Sequence, residues 1–163
     1  MRDLTFFVWS DTHFGYQQRF AHADQRWQVI RQMNQLPGWP YPASVGGRVD
    51  EPAFVMHCGD VVDANADPER GLALADYFCR RLRWPQYATL GNHDVAGPVV
   101  ADFVDRYGGR AHSFDAGGVH FLSVDMEYDA GEQGTLPERA LQCIRDDLSA
   151  VDDGVPVVLF THA

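Results

Sequence analysis

The chain has 163 residues, of which 45% are apolar, and a formal net charge of −10. This length and apolar content predict one domain with a real core, while the acidic charge disfavours broad non-specific binding to nucleic acid. All thirteen basic residues are arginines, which excludes a lysine Schiff base and a lysine-bearing phosphate loop.

The segments that direct a protein to a membrane or to an oxidising compartment are not evident. No run of 18 apolar residues predicts a membrane span, and the chain enters a strand too early to leave room for a signal peptide. Three cysteines without C-x-x-C spacing argue against a disulfide framework. We expect a cytoplasmic protein, and the bias toward Ala, Gly and Arg indicates a bacterial gene.

Strand-like and helix-like segments alternate through the first two thirds of the chain. Apolar runs predict strands at 4–9, 53–56 and 86–90. Apolar periodicity predicts helices at 24–36 and 69–83, and Pro98 opens a third helix. Residues 37–52 are rich in Pro, Gly, Trp and Tyr and predict a long loop.

The pattern changes after the third helix. Two strands at 112–115 and 119–125 flank Gly117 and Gly118, which is typical of a hairpin. Thr135 and Glu138 predict a capping box, and the helix that follows is expected to bury Leu141, Ile144, Leu148 and Val151. The last strand is predicted at 155–160. Strand–helix alternation indicates an α/β fold with a largely parallel sheet and flanking helices.

Polar blocks follow four of the predicted strands. They are Asp11-Thr12-His13, Gly59-Asp60-Val61-Val62-Asp63, Gly91-Asn92-His93-Asp94 and Thr161-His162. Because the ends of strands in an α/β sheet converge on one edge, where ligands bind, we expect these side chains to meet. Carboxylate, imidazole and amide groups are the ligand types of a two-metal hydrolytic site.

The spacing within the blocks suits metal binding. Asp11 and His13 are two residues apart, so in extended backbone they point to the same side and can hold one ion. Asp60 has two carboxylate oxygens and can bridge two ions about 3.5–4 Å apart. Asn92 offers a neutral amide oxygen, and His162 offers a second nitrogen.

In these motifs the chain resembles the calcineurin-like metallophosphoesterase superfamily, whose pattern is D-x-H, G-D-x-x-D, G-N-H-[DE], a lone strand-end His and G-H-x-H. The first three match in order, His162 fits the fourth, and the fifth is absent because the chain stops at Ala163. The resemblance implies a four-layer α/β/β/α sandwich whose later strands build a second sheet. Residues 1–163 would be a single incomplete domain of this kind.

The resemblance also implies the ligand sets. One ion would be held by Asp11, His13 and Asp60, and the other by Asp60, Asn92 and His162. The two divalent ions could be Mn, Fe, Zn, Ni or Co, and the sequence does not choose among them.

The reaction implied is the hydrolysis of a phosphate ester, monoester or diester, in which a metal-bridging hydroxide attacks phosphorus. His93 would assist as acid to the leaving alkoxide or as charge stabiliser, and Asp94 would fix the tautomer of His93. Asp63 is expected to hydrogen-bond within the loop after Asp60.

Two other functions stay open. A catalytically inactive or scaffolding relative would keep the fold and lose the chemistry. The absence of G-H-x-H favours this alternative. By resemblance that motif supplies one histidine to each metal, and without it each ion has only three protein ligands and is held weakly. A nuclease is disfavoured by the acidic charge and by the lack of a basic stripe. We also expect an exposed apolar patch on one sheet, covered by a partner chain or by a missing C-terminal half.

The remaining polar and aromatic residues have less specific predictions. Four histidines are expected in packed or surface positions: His57, His22, His112 and His120. The cysteines are expected to fill core positions. Asp125, Glu127 and Tyr128 could line the mouth of a substrate site. The loop aromatics Trp39 and Tyr41 could stack on a substrate base or ring, but a surface loop packed by its own aromatics is favoured.

Overall fold

The computed structural model describes residues 3–16, 22–63, 67–126 and 137–162. Within them the elements are β1 (Phe7–Trp9), α1 (His22–Gln35), β2 (Val55–His57), α2 (Pro68–Cys79), β3 (Gln86–Ala88), α3 (Gly97–Tyr107), β4 (Ala111–Ala116), β5 (Val119–Val124), α4 (Glu138–Leu148) and β6 (Val157–Phe160).

The strands form two three-stranded sheets. The first has the order β1-β2-β3 and is parallel throughout. The second has the order β4-β5-β6, in which β4 and β5 are antiparallel and β5 and β6 are parallel. Gly117 and Gly118 both have positive φ at the turn between β4 and β5, as a tight hairpin requires, so the hairpin prediction is confirmed.

The two sheets pack face to face through aromatic side chains. Phe54 lies beside β2 with its ring centroid 5.0 Å from that of Phe121 in β5, and Phe114 in β4 stacks on Phe121 at 5.1 Å. Met56 and Phe160 belong to the same buried cluster. Each large side chain moved out of water here contributes roughly 1.5–3 kcal/mol, so this layer is a main part of the core.

Helices cover the outer side of each sheet. Ala75 of α2 and Phe103 of α3 are buried on the first sheet's side, where they pack with Val62 and Ala88 respectively. In α4, Ala140 is buried against the second sheet. The order of layers is therefore α/β/β/α, and the predicted fold class is confirmed.

The predicted boundaries of two helices were wrong. Helix α2 ends at Cys79 and not at Arg83, because Arg81 N donates to Phe78 O in a tighter turn and the approach to Pro85 disfavours helix. Helix α4 begins at Glu138 with Pro137 in the N-cap position. Glu138 is thus the first helical residue, whereas a capping box needs it to be the third. Thr135 lies outside the described residues.

Two apolar side chains on the edge strand β6 remain exposed. Val157 is 42% exposed and Leu159 is 47% exposed. Leu159 pairs with Leu122 in β5. Leu122 belongs to the buried cluster that includes α4, whereas Leu159 does not. This agrees with the exposed apolar patch expected on a sheet, and what covers it stays a prediction. None of the helices in the described ranges has the length and apolar character needed to cross a membrane.

The loop at 37–52 lies at the far end of the first sheet from the strand ends that carry the polar blocks. It leads into the start of β2, and Glu51 pairs with Arg83 just before β3, at 2.8 Å. Trp39 and Tyr41 are exposed on this loop. Their exposure agrees with the favoured surface-loop position, and this end of the sheet gives no support to stacking on a substrate held at the polar blocks.

Candidate metal centre

The four polar blocks lie in loops that follow β1, β2, β3 and β6. The loops after β1 and β2 are held together through their backbones: Asp11 N donates to Gly59 O at 3.0 Å, and His13 N donates to Asp60 O at 2.9 Å. A parallel bridge between Phe14 and Val62 continues this pairing. The backbone therefore fixes the candidate ligands Asp11, His13 and Asp60 relative to each other.

Three candidate ligands have an unusual backbone conformation. Asp11, His13 and Asp60 have φ values of 56°, 42° and 53°, and they are the positive-φ residues other than glycine in the described part of the chain. L-residues adopt this region rarely, at a cost of order 1–3 kcal/mol each. Strain of this kind is typical of functional sites, and here it falls on the residues that the motifs single out.

Asp60 is at the centre of the cluster. It is 3% exposed, and its Oδ1 accepts a hydrogen bond from His93 N at 2.8 Å. Its Oδ2 lies 3.5 Å from His13 Nε2 and 3.4 Å from His162 Nε2. One carboxylate oxygen thus lies between two imidazoles, as expected of a ligand that bridges two ions.

His162 reaches the first sheet from the end of β6. Thr161 Oγ1 donates to Val124 O at 2.8 Å and holds this end in place. Gly59 leaves room for the ring, because a Cβ there would lie 2.4 Å from the Cβ of His162. The Nδ1–H of His162 donates to Cys58 O at 2.7 Å, so in the neutral ring the lone pair on Nε2 faces Asp60.

The donor atoms form two groups around Asp60. One consists of His13, Asp60 and His93, and the other of Asp11, Asp60 and His162; within each group the donor atoms lie within 4.8 Å of one another. Ligands at about 2.0–2.2 Å from one ion are separated by about 2.8–3.6 Å. The separations of 3.4 and 3.5 Å at Asp60 Oδ2 match this range, so the donor set fits a pair of divalent ions.

This grouping differs from the ligand sets implied by the resemblance. The resemblance assigned Asp11 and His13 to one ion. In the structure Asp11 is grouped with His162, and His13 is grouped with His93. Their nearest donor atoms, His13 Nε2 and Asp11 Oδ1, are 3.9 Å apart. That separation lies within the 4.8 Å that joins the donor atoms of each group, so the assignment of Asp11 and His13 to one ion stays a prediction.

The loop after β3 carries Asn92, His93 and Asp94. Asn92 is exposed, and its role as a ligand stays a prediction. The ring of His93 makes an edge-to-face contact with that of His13, with centroids 4.7 Å apart. Its Nδ1 lies 3.6 Å from Oδ1 of Asp63. Asp63 is therefore a carboxylate beside the His93 ring, in addition to Asp60.

Asp94 was expected to play that part, and the structure places it elsewhere. Its carboxylate accepts from Val61 N at 3.0 Å, Val62 N at 2.7 Å and Gly91 N at 3.0 Å. Burial raises the pKa of Asp94, and the three backbone hydrogen bonds oppose that rise. Asp94 ties the β2 and β3 loops together, so its action on the site passes through the backbone.

Other predicted residues have structural positions. His57 is fully buried and bonds Thr12 Oγ1 through Nε2 at 2.9 Å, and burial lowers its pKa to about 3. This confirms the packed histidine. Asp125 is buried in an ion pair with Arg110, which removes it from an open substrate mouth. Glu127 and Tyr128 lie outside the described residues, as does the side chain of His22.

Two polar residues near the cluster were not predicted from the sequence. Ser10 donates through Oγ to Oδ2 of Asp11 and to Cys58 O. Arg26 of α1 lines a pocket beside Asp11 and His13. The register of α1 contained a signal, because Arg26 is four residues before the buried Ile30 and so lies on the same face. Ser10 had no comparable signal.

Comparisons with known proteins agree with this architecture. A family model described as calcineurin-like phosphoesterase matches residues 4–162. No curated protein matches the sequence.

Two solved structures are similar in fold. A dimetal phosphatase from Danio rerio is 13% identical with a TM-score of 0.65, and the match covers 97% of this chain and 69% of that one. A purple acid phosphatase from seeds of yellow lupin (Lupinus luteus) is 16% identical with a TM-score of 0.55, covering 96% of this chain and 30% of that one. At such identities the likeness concerns the fold alone.

Proposed function

The chain belongs to the calcineurin-like phosphoesterase family, and on that premise we propose that it is a dinuclear-metal-dependent hydrolase of phosphate esters. The observation that carries the proposal is the position of Asp60 Oδ2 between Nε2 of His13 and Nε2 of His162, at 3.5 and 3.4 Å. A nearly buried carboxylate facing two imidazole nitrogens has the chemistry of a bridging ligand.

Five residues are proposed to hold the ions: Asp11, His13, Asp60, Asn92 and His162. When bound, two divalent ions supply an activated water near neutral pH and positive charge for the phosphate oxygens. The chain's own contribution is to fix the donors. Cys58 O sets the tautomer of His162, and backbone pairing sets the separation of the loops that carry Asp11 and Asp60.

His93 is proposed as the catalytic residue that is not a ligand. Its ring is partly exposed beside the cluster and lies next to His13, where it can donate a proton from a ring nitrogen to the leaving oxygen. Asp63, with Oδ1 at 3.6 Å from Nδ1 of His93, orients the ring. The substrates proposed are small phosphate monoesters or diesters.

The proposal is tested by two variants with separate readouts. We expect Asp60→Ala to lose both metal and turnover, because it removes the bridging carboxylate. We expect His93→Ala to keep its metal and lower turnover of phenyl phosphate by roughly 10²–10⁴-fold. Bound metal is measured by mass spectrometry, and turnover is measured with Mn²⁺ and with a chelator.

Arg31→Gln on the exposed face of α1 is the matched control and should leave both readouts unchanged. Unchanged turnover in His93→Ala would remove His93 from the mechanism. Loss of metal in the same variant would make it a ligand, as its grouping with His13 and Asp60 allows. Comparing phenyl phosphate with diphenyl phosphate decides between monoester and diester.

The second candidate is an inactive or scaffolding member of the same family. It is favoured because each group of candidate donors among the described residues has only three carboxylate or histidine side chains, and one of these groups reaches three only by including His93. The chain also spans only 69% and 30% of the two similar solved structures. On this candidate, dialysed protein retains no stoichiometric metal and hydrolyses neither ester, and tight binding of two ions per chain excludes it.

The proposed cytoplasmic location has one structural support. Cys58, Cys79 and Cys143 are all free thiols, as expected in a reducing compartment. Mass spectrometry of the protein from its native host tests this, and an intermolecular disulfide there would contradict it.

A further inference from the structure

A pocket of about 380 Å³ opens directly beside two of the candidate ligands. Asp11 and His13 form one side of it, and α1 forms the other through Gln25, Arg26 and Val29. This volume is within the range of small-ligand sites, about 300–1,000 Å³. A phosphate ester held at the metal centre has room here for part of its alcohol group.

Arg26 is the one positively charged side chain among the described residues that line this pocket. Its guanidinium lies 5.0 Å from the centroid of the Phe14 ring, and Phe14 is fully buried. The contact is a cation–π interaction, which holds the guanidinium in position but does not neutralise its charge. Partial burial lowers the pKa of Arg26 from its ordinary value, although an arginine stays protonated.

Arg26 is partly buried beside the pocket and has no carboxylate partner among the described residues. Five arginines form ion pairs with Asp or Glu: Arg80, Arg83, Arg106, Arg110 and Arg145. Within the described ranges no carboxylate lies within 4.0 Å of Arg26, although the chain has an excess of acidic residues. Withdrawing a charge from water without a partner is unfavourable, so a bound anion would stabilise this arrangement.

We propose that Arg26 forms an anion subsite for a second negatively charged group, carried by the alcohol part of the substrate. This inference rests on the proposed phosphoesterase function, which puts the reacting phosphate at the metal centre. A planar guanidinium pairs with carboxylate or phosphate through two parallel hydrogen bonds. The substrate class is therefore a phosphate ester with a carboxylate or a second phosphate on its leaving group.

Binding of non-hydrolysable aryl phosphonates to the metal-loaded protein tests the subsite. The probes are phenylphosphonate and its meta and para derivatives bearing either a carboxylate or a second phosphonate, with affinity measured by calorimetry. We expect a doubly charged probe to bind roughly 10- to 100-fold more tightly than phenylphosphonate. The carboxylate and phosphonate arms identify which anion is preferred.

Two variants separate the subsite from a general charge effect. Arg26→Gln should abolish the preference for the doubly charged probe. Arg31→Gln removes the same charge from the exposed face of the same helix and should retain the preference for the doubly charged probe. A wild-type protein without the preference, or an Arg26→Gln protein that keeps it, would overturn the proposal.

Kinetics distinguish failure of the subsite from failure of the proposed function. If phenyl phosphate is not hydrolysed by the metal-loaded protein, the phosphoesterase proposal fails, while an Arg26-dependent preference in binding still supports the anion subsite. If phenyl phosphate is hydrolysed and Arg26→Gln reduces kcat/KM equally for phenyl and carboxyphenyl phosphate, the function stands and the subsite is excluded.

Discussion

Each of three candidate ligands has both a side chain that can bind metal and a left-handed backbone conformation. Asp11, His13 and Asp60 have positive φ, where glycine is accommodated more easily than any other residue. Their side chains converge on one point, so the strain accompanies the arrangement that the chemistry needs. A metal-free chain has this strain without the compensating metal–ligand bonds.

Asp11 offers the clearest test, because its side chain is 58% exposed and its removal disturbs little packing. We expect the metal-free Asp11→Gly protein to be more stable than metal-free Asp11→Ala by about 1 kcal/mol, since alanine keeps the φ penalty and glycine does not. Urea unfolding measures the difference. Both variants should bind metal more weakly than the parent. Equal stability of the two variants would show that the backbone at Asp11 is unstrained.

At the scale of residues, the sequence patterns predicted part of the candidate site. The blocks predicted which strand ends meet, and the structure brings His13, Asp60 and His162 together. The carboxylate beside His93 was not predictable. Asp94 N bonds Gly91 O, and this turn directs the Asp94 carboxylate to the backbone, leaving Asp63 beside the ring. Orientation within a tight turn depends on hydrogen bonds that residue spacing does not encode.

At the scale of elements, α2 packs closely against the loops of the candidate metal centre. A Cβ on Gly71 would be 2.3 Å from Val62 Cγ1 and 2.7 Å from Phe14 O. Gly71 is in the interior of α2, where alanine normally stabilises a helix by up to about 1 kcal/mol relative to glycine. The contact with the loops reverses that expectation.

We expect Gly71→Ala to destabilise the protein by roughly 1–3 kcal/mol through overpacking and to weaken metal binding, because Val62 and Phe14 follow the ligand-bearing residues. Chemical denaturation and metal titration measure the two effects. Gly97→Ala is the matched control, since a Cβ there meets nothing within 4 Å, and it should be neutral or slightly stabilising. A stable Gly71→Ala protein with unchanged metal affinity would contradict the close packing.

The elements also show the limit of pattern analysis. Apolar runs predicted the strands, but the division into two sheets came only from the family resemblance. The side chains of β6 explain why, since Phe160 faces the other sheet while Leu159 faces outward and remains exposed. Both are apolar, so the period-2 pattern that would assign the faces is hidden.

At the scale of the whole molecule, two histidines give folding opposite dependences on pH. His112 stacks on Tyr107, with ring centroids 4.4 Å apart, and both its ring nitrogens are buried without a hydrogen-bond partner in the described structure. Burial lowers the pKa of His112 to about 4. His120 bonds Asp115 at 2.8 Å and Asp147 at 2.6 Å through its two nitrogens, and these two carboxylates raise its pKa against the effect of burial.

The sign of each effect follows from the unfolded pKa of about 6.5. The unfolded chain takes up a proton at His112 below that pH and the folded chain does not, so His112 reduces stability as the pH falls from about 6.5 toward 4. His120 acts in the other direction. Its ion pairs contribute fully below pH 6.5, and the contribution is lost as the pH rises through the raised folded pKa.

We therefore expect the parent protein to lose about 1–2 kcal/mol more stability than His112→Phe when the pH falls from about 7.5 to 5. This figure is reduced for solvent screening because the site is partly exposed. Phenylalanine keeps the stacking on Tyr107 and cannot be protonated. Urea unfolding at the two pH values measures the change, and His57, buried with a pKa of about 3, accounts for part of the dependence that remains. His120→Gln is the opposite control, with a larger cost at pH 5 than at pH 7.5. If His112→Phe leaves the pH dependence of stability unchanged, His112 is not held neutral by burial in the folded chain.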